Sequence, residues 1–331
     1  MKAVVMSAPG APGVLEMEEV ADPFISGARD LLIRLKAAGI NPVDTKMRGG
    51  GTYGSGDEPV ILGCDGAGVV EEAGYGCSRF KPGDEVYFFN GGIGTEPGNY
   101  AEFAVVDERF VAAKPASLSF AEAAAVPLVA ITAWESLFDH GQLRSGQSVL
   151  VHAGAGGVGH VAIQLARHAG AEVCTTVGSE EKAAFVRELG VNKTIPYKEV
   201  DFVDAVLACS HQQGVDLALD TVGPQALEAS FPAIRFYGRA VTLLDPTGIS
   251  LKQARLRNQG IFLELMLTPL FFGLTEARQH QARILEECAR LIDAGELRVQ
   301  LNRAFPLAEA AEAHRLLEEG HMLGKLALTM E

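Results

Sequence analysis

Gly154-Ala155-Gly156-Gly157-Val158-Gly159 matches G-x-G-x-x-G, and it stands directly after the apolar run Val149 to Ala153 and ahead of a helical pattern. Glycines at this spacing allow a tight turn, close approach of backbone to a pyrophosphate, and close packing of helix on strand. The helix N-terminus adds free N–H groups and a partial positive charge. For the hexamer alone, a glycine turn without a ligand competes with a nucleotide loop. The strand-turn-helix setting favours a dinucleotide held by Gly154, Gly156, Gly157, Val158 and Gly159.

Dinucleotides carrying a 2′-phosphate are told from those without one at the end of the second strand, where an Asp or Glu bonds the ribose hydroxyls and repels the phosphate. Here that place is Gly178, followed by Ser179 at a helix start and Lys182 one turn in. A hydroxyl, a helix N-terminus and a cation suit a phosphate, so NADPH is the expected cofactor. Against this, Ser179 reads equally as a plain N-cap, and Glu180 and Glu181 weaken the local positive field.

The elements that must position this loop follow from periodicity and punctuation. From Ser148 to about residue 265, short apolar strands (Val149 to Ala153, Glu172 to Val177, Thr194 to Tyr197, Val215 to Val222, Arg239 to Leu244, Ile261 to Leu265) alternate with helical segments. Those segments are Val158 to Ala169, Ser179 to Leu189, Phe202 to Ser210 and Gln225 to Ile234. Alternation of this kind winds a parallel sheet, because parallel strands need crossover helices. Residues 1 to about 116 carry Gly/Pro punctuation and short runs such as Lys2 to Met6, Leu31 to Ala37, Gly68 to Glu72 and Glu85 to Phe89, and read as mostly β. Ser119 and Glu122 have the spacing of a capping box at the entry to the cofactor domain. The tail, with helices over Ala282 to Asp293 and Leu307 to Glu319 and a strand over Lys325 to Met330, is expected to fold back onto the first part. The expected division is 1–120 with 266–331 for one domain and 121–265 for the other.

With 331 residues and 48% hydrophobic content the chain has enough apolar material for real cores. A net charge of −14 and no Lys/Arg cluster argue against nucleic acid. Five scattered cysteines, odd in number and never C-x-x-C, argue against a disulfide framework or a structural zinc lobe and fit a reducing cytoplasm. The most apolar stretches, Ala123 to Leu137 and Ile261 to Leu274, are interrupted by Pro127, Glu135, Glu264 and Pro269, so they are expected to be buried soluble structure and no membrane span is expected.

Taken together, Ala38-Gly39-Ile40-Asn41-Pro42-Val43-Asp44, Leu62-Gly63-Cys64-Asp65-Gly66-Ala67-Gly68, Lys81-Pro82-Gly83-Asp84, Thr132-Ala133-Trp134, the glycine loop, Asp220-Thr221-Val222-Gly223 and Gly324-Lys325 resemble, in order, the medium-chain dehydrogenase/reductase superfamily. The resemblance is to its zinc-independent NADPH:quinone oxidoreductase branch and covers nearly the whole chain. It implies an α/β protein in which a doubly wound Rossmann-type sheet is inserted into a mostly β GroES-like catalytic domain, working as a homodimer. In the zinc-using branch a Cys lies where Asn41 lies here, a His-Glu pair at Cys64-Asp65, and a second Cys near Leu128. Asn41 and Leu128 do not supply the ligands a catalytic zinc needs, so no metal is expected. The resemblance further implies that Lys182 and Tyr197 flank the 2′-phosphate, that Thr132, Val222 and Gly223 lie near the nicotinamide half, and that Asn41 contacts cofactor or substrate beside the transferred hydride. Lys325 is carried over as a cofactor contact, although Pro196 and His321 depart from the family pattern around these positions.

Without a metal, a hydride goes to a carbon already electrophilic by conjugation, so a quinone or α,β-unsaturated carbonyl is the expected acceptor. Asn41, Tyr53 and Lys46 are the candidate donors to the developing oxygen. Tyr53 sits in a glycine-rich stretch, Gly49 to Gly56, that suggests a lip over the substrate; a partly exposed loop aromatic is the plainer reading. Cys64 reads as a core thiol or a reactive one, Asp44 and Asp65 as structural acceptors or acids. Phe262, Met266, Phe271 and Phe272 read as a pocket wall or as core. The alternatives are an alkenal or enoyl reductase of the same superfamily, which differs only in pocket shape, and a non-catalytic NADPH-binding sensor or structural protein.

Overall fold

The structure is a computed structural model that describes residues 1–53 and 59–330. The chain divides into two compact units, Met1–Leu128 with Leu267–Glu331, and Val129–Met266. The sequence puts the first boundary after residue 120. The capped helix Phe120–Ala124 packs on strands Asp30–Ile40 and Asp65–Ala73, however, and so stays with the first unit.

In the second unit six strands form one sheet, in the order Lys193–Pro196, Glu172–Val177, Ser148–Val151, Val215–Asp220, Ile234–Thr242, Gly260–Leu263, and every neighbouring pair is parallel. This is the 3-2-1-4-5-6 order of a Rossmann sheet, in which the strand carrying the glycine loop is flanked by the second and fourth. The central strands are apolar on both faces: Val149, Leu150, Val151, Leu217, Ala218 and Leu219 are all buried. Helices cover both faces, and each fully buried Val or Leu adds roughly 1.5–3 kcal/mol of hydrophobic stabilisation.

The first unit is mostly β. A three-stranded sheet pairs Lys2–Met6 with Leu15–Glu19 and Val60–Ile61. A seven-stranded sheet runs Leu301–Pro306, Lys325–Thr329, Asp30–Ile40, Asp65–Ala73, Glu85–Phe89, Val111–Ala113, with Phe103–Asp107 also pairing with Asp30–Ile40. The tail strand Lys325–Thr329 lies antiparallel to Asp30–Ile40, with Leu326 opposite Ile40 and Thr329 opposite Ala37. The architecture is thus mixed α/β, with a Rossmann-type parallel sheet and a GroES-like β unit.

Several local expectations change. The segment expected to be helical from Gln225 to Ile234 is an α-helix only over Pro224–Ser230; Pro232 sits in a 3-10 turn and Ile234 already begins the next strand. The fourth strand stops at Asp220 rather than Val222, because the Asp220 carboxylate accepts the N–H groups of Val222 (2.9 Å) and Gly223 (3.0 Å) and turns the chain. The stretch Ile261 to Leu274 is not buried throughout: Leu263, Leu265, Phe271, Phe272 and Leu274 are all exposed. Among the described residues no helix is long and apolar enough to cross a membrane.

Candidate active site

The second unit builds the glycine loop from packing constraints. The helix Gly157–His168 starts after Gly156 as N-cap. A Cβ on Gly154 would stand 2.0 Å from Thr175 Oγ1 and one on Gly159 2.4 Å from the Ala153 carbonyl oxygen, so neither position admits a side chain without displacement. The loop is tied to the second strand by Thr176 Oγ1, which accepts the Ala153 N–H at 3.0 Å, and by the Gly154 N–H, which donates to Thr176 O at 3.2 Å. The N–H groups of Gly157, Val158 and Gly159 belong to the first turn, which has no intrahelical acceptors for them. Two side-chain-free approaches and a helix N-terminus fit a pyrophosphate.

At the end of the second strand, Gly178 lies against Tyr197: a Cβ there would come 3.3 Å from the phenol oxygen. Ser179 caps the helix Glu180–Glu188, its hydroxyl accepting the Lys182 N–H at 3.3 Å. Glu180, whose charge weighs against an anion here, is paired with Arg187 at 2.5 Å, so part of its field is spoken for. Gly178, Ser179, Tyr197 and the backbone of Lys182 therefore come together at one strand end. Val222 is exposed and Gly223, at φ 138°, takes a backbone angle that a side chain would strain. Thr132 is buried in the helix Pro127–Trp134, of which most lies in this unit.

In the first unit, Asn41 is the centre of a buried polar cluster. It precedes the helix Pro42–Gly50, and its N–H donates to Asp44 Oδ2 at 2.7 Å. Asn41 Nδ2 donates to Asp65 Oδ2 at 2.9 Å, and Asn41 Oδ1 accepts from Lys325 Nζ, which also donates to the Ile40 carbonyl at 2.8 Å. Asp65 Oδ1 accepts the Leu128 N–H at 2.9 Å. Asp44 further accepts from Tyr100 (3.3 Å) and, weakly, from the Cys64 thiol (3.7 Å), and Tyr100 bonds His314 Nε2 at 3.0 Å. The polar side chains of this cluster are all buried.

Burial dominates the electrostatics. It raises Asp65 to about 6, against the opposing pull of Lys325 and the Asn41 hydrogen bond. It raises Asp44 to about 7 despite the Asn41 N–H. The Cys64 thiol is pushed up by burial and by both aspartates, which makes it an inert thiol rather than a nucleophile. His314 falls to about 3 through burial and the nearby Arg48.

A zinc ion does not fit this donor set. The Leu128 side chain has no ligating atom, Asn41 Oδ1 faces an ammonium, and both Asp65 oxygens already accept hydrogen bonds, which leaves Cys64 as a lone thiol. No group of three His, Cys, Asp or Glu side chains among the described residues is placed to hold a metal.

Of the residues expected to act together, the structure joins Asn41 with Lys325, two positions 284 residues apart. It sets Lys46 and Tyr53 apart from them as exposed groups. Tyr53 instead meets Phe271 edge-on at 5.6 Å, and Phe271 meets Phe272 at 4.7 Å. In the second unit Phe262 is stacked on His140, and Met266 is buried. Within Gly49 to Gly56, Gly49 and Gly50 close a helix, and positions 54–56 lie outside the described residues. Nothing in the sequence joins Asp65, Tyr100 and His314 into one network; a lone lysine in the apolar strand Lys325–Thr329 is its one visible signal.

Comparison with known proteins agrees with this architecture. The family model for the alcohol dehydrogenase GroES-like domain matches residues 27–116, and that for zinc-binding dehydrogenase matches 189–328. A quinone oxidoreductase of Pseudomonas aeruginosa is 32% identical over 330 residues, 99% of each chain. Among solved structures, an alcohol dehydrogenase superfamily protein from Novosphingobium aromaticivorans is 34% identical with a TM-score of 0.93 over 100% of both chains. Escherichia coli quinone oxidoreductase complexed with NADPH is 27% identical with a TM-score of 0.87, again over 100% of both. The chain is a member of the quinone oxidoreductase family of the medium-chain dehydrogenase/reductase superfamily.

Proposed function

We propose that the protein is a zinc-independent, NADPH-dependent oxidoreductase that reduces a quinone or an α,β-unsaturated carbonyl. The observation that carries this reading is the donor set around Asn41, where an ammonium stands against the one amide oxygen and, among the described residues, no metal-binding group of side chains forms. Oxidation of a plain alcohol needs a Lewis acid or base for the hydroxyl proton; a conjugated acceptor carries its electrophilicity itself. NADPH supplies a hydride when bound. The first-turn N–H groups of Gly157, Val158 and Gly159 bind its pyrophosphate, and Gly178, Ser179, Lys182 and Tyr197 receive the 2′-phosphate. Support for NADPH comes from the missing carboxylate at Gly178 and from the E. coli relative. Reduction also consumes one proton, for which Tyr53 and Lys46 are exposed donors in the first unit.

The test is a metal-analysed preparation assayed with NADPH and NADH against quinones and enones, with and without chelator. Expected are less than stoichiometric zinc, NADPH preference and turnover unchanged by chelator. Stoichiometric zinc with chelator-sensitive turnover, or no oxidation of either nucleotide with any acceptor, overturns the reading.

A further inference from the structure

Asn41 has a carboxamide whose two ends are held by groups of opposite sign. Lys325 is a donor only and the ionised Asp65 an acceptor only, so a flipped amide would set NH2 against ammonium and oxygen against carboxylate. The orientation is therefore unique. The amide nitrogen carries two hydrogens, and Asp65 takes one; the other has no acceptor among the described residues, although Asn41 is fully buried. A buried donor hydrogen left unmade is destabilising, which is a reason to expect a ligand oxygen there.

We propose that Lys325 is the resident cation of this site, a positioning residue whose ammonium orients and polarises the Asn41 carboxamide so that its remaining Nδ2 hydrogen is offered to the carbonyl oxygen of the acceptor. The inference rests on the function proposed above. An ammonium on Oδ1 draws electron density from the amide nitrogen and strengthens its N–H groups as donors. A donor of this kind acts most on the oxygen that gains negative charge as the hydride arrives, so its effect falls on the rate rather than on ground-state binding. Lys325 reaches the oxygen only through Asn41. Burial pulls the Lys325 ammonium below its ordinary value, and the charges of Asp65 and Asp44, which it compensates in turn, oppose that pull, with Cys64 and Tyr100 packed beside them.

Two variants separate positioning from mere charge balance. In Lys325→Met Asp65 still holds the amide nitrogen, but Oδ1 loses the cation that polarises the carboxamide and Asp65 its counter-charge, so both Tm and kcat fall, while KM for NADPH stays near the wild-type value. The expected loss in kcat is roughly tenfold to hundredfold, within the range for losing one preorganised donor. In the double variant Lys325→Met with Asp65→Asn the charge imbalance is removed. The new amide at position 65 satisfies the Leu128 N–H with its oxygen and turns its NH2 toward Asn41, which must then present Oδ1 and point its nitrogen away. Tm recovers and kcat does not. Recovery of kcat together with Tm, or a wild-type kcat in Lys325→Met alone, overturns the proposal. A wild-type protein inert toward every quinone and enone would instead sink the functional reading beneath it.

Discussion

Replacing Gly178 with aspartate puts a carboxylate at the end of strand Glu172–Val177, where the proposed function sets the 2′-phosphate of NADPH. The backbone accepts the change, since Gly178 needs no left-handed angle and its new Cβ would meet Tyr197 at 3.3 to 3.6 Å; that ring is 52% exposed and free to swing. Because Ser179, Glu180 and Tyr197 are all exposed, the interaction runs in a nearly aqueous dielectric, about 1 kcal/mol per pair of unit charges at 4 Å. Against a 2′-phosphate of about −1.5 to −2 charges that is about 2 kcal/mol, or about a 30-fold loss in kcat/KM for NADPH. The same carboxylate can accept the free 2′- and 3′-hydroxyls of NADH, a charged hydrogen bond of about 1.5 kcal/mol and about a tenfold gain. The ratio of kcat/KM for NADPH over NADH should therefore fall about 300-fold, measured at one ionic strength because the repulsive part is screened by salt. A ratio unmoved within a factor of about three, with the variant folded and active, would refute the placement of the phosphate beside Gly178.

Lys182→Ala should raise KM for NADPH about tenfold and leave NADH unchanged, in steady-state kinetics; equal effects on both nucleotides would assign Lys182 a role other than phosphate contact. Gly159→Ala drives a Cβ to 2.4 Å from the Ala153 carbonyl, so the loop must open: calorimetry should show at least a roughly tenfold weaker NADPH affinity together with a lower Tm. His152, bonded to Ser230 at 2.7 Å, is held neutral by burial, which lowers it to about 4 although Asp220 pulls the other way. The unfolded chain takes up a proton below about 6.5 that the folded one refuses until about 4, so this residue makes stability fall as pH falls through that window. In His152→Gln the slope of unfolding free energy against pH should be shallower by about 1.4 kcal/mol per unit between those limits, read from urea unfolding at several pH values; parallel wild-type and variant lines would contradict the buried neutral imidazole.

The glycine loop was legible because its signal is local: one strand, one turn and one helix start lie close together in sequence, and each glycine answers to a neighbour the loop itself brings close. Elements whose burial is polar were harder. The helix Thr275–Asp293 reads from sequence only from Ala282, since its first two turns hide Arg278 and Gln281 where an apolar stripe would be expected. Arg278 is inside because it lies 3.8 Å over the Phe110 ring and bonds Asn90, contacts made with distant segments. Leu301–Pro306 carries no strand pattern for a related reason: as the edge of its sheet it buries only Phe305 fully, so its sequence shows no alternation. The order of the strands in either sheet has no local signature at all.

The Asn41 cluster shows how register does what a metal-binding loop would otherwise do. Pairing Leu326 with Ile40 sets Lys325 across from Asn41, and Gly324, at φ 68° with its Cβ position 2.1 Å from the Gln300 carbonyl, brings the chain into the strand at that point and no later. A slip of one residue would turn the lysine to the opposite face and bring Leu326 against the two aspartates, leaving two buried carboxyl groups with no cation. The apolar side chains Leu326, Ala327 and Leu328, all fully buried, resist that slip through the hydrophobic core rather than through any polar contact. The position of the charge is thus enforced by packing along the whole strand, and the polar cluster needs no ligand of its own to stay assembled. That is why Asn41 can stand with one donor hydrogen unspent in a folded protein: the strand, not the hydrogen bond, holds it there.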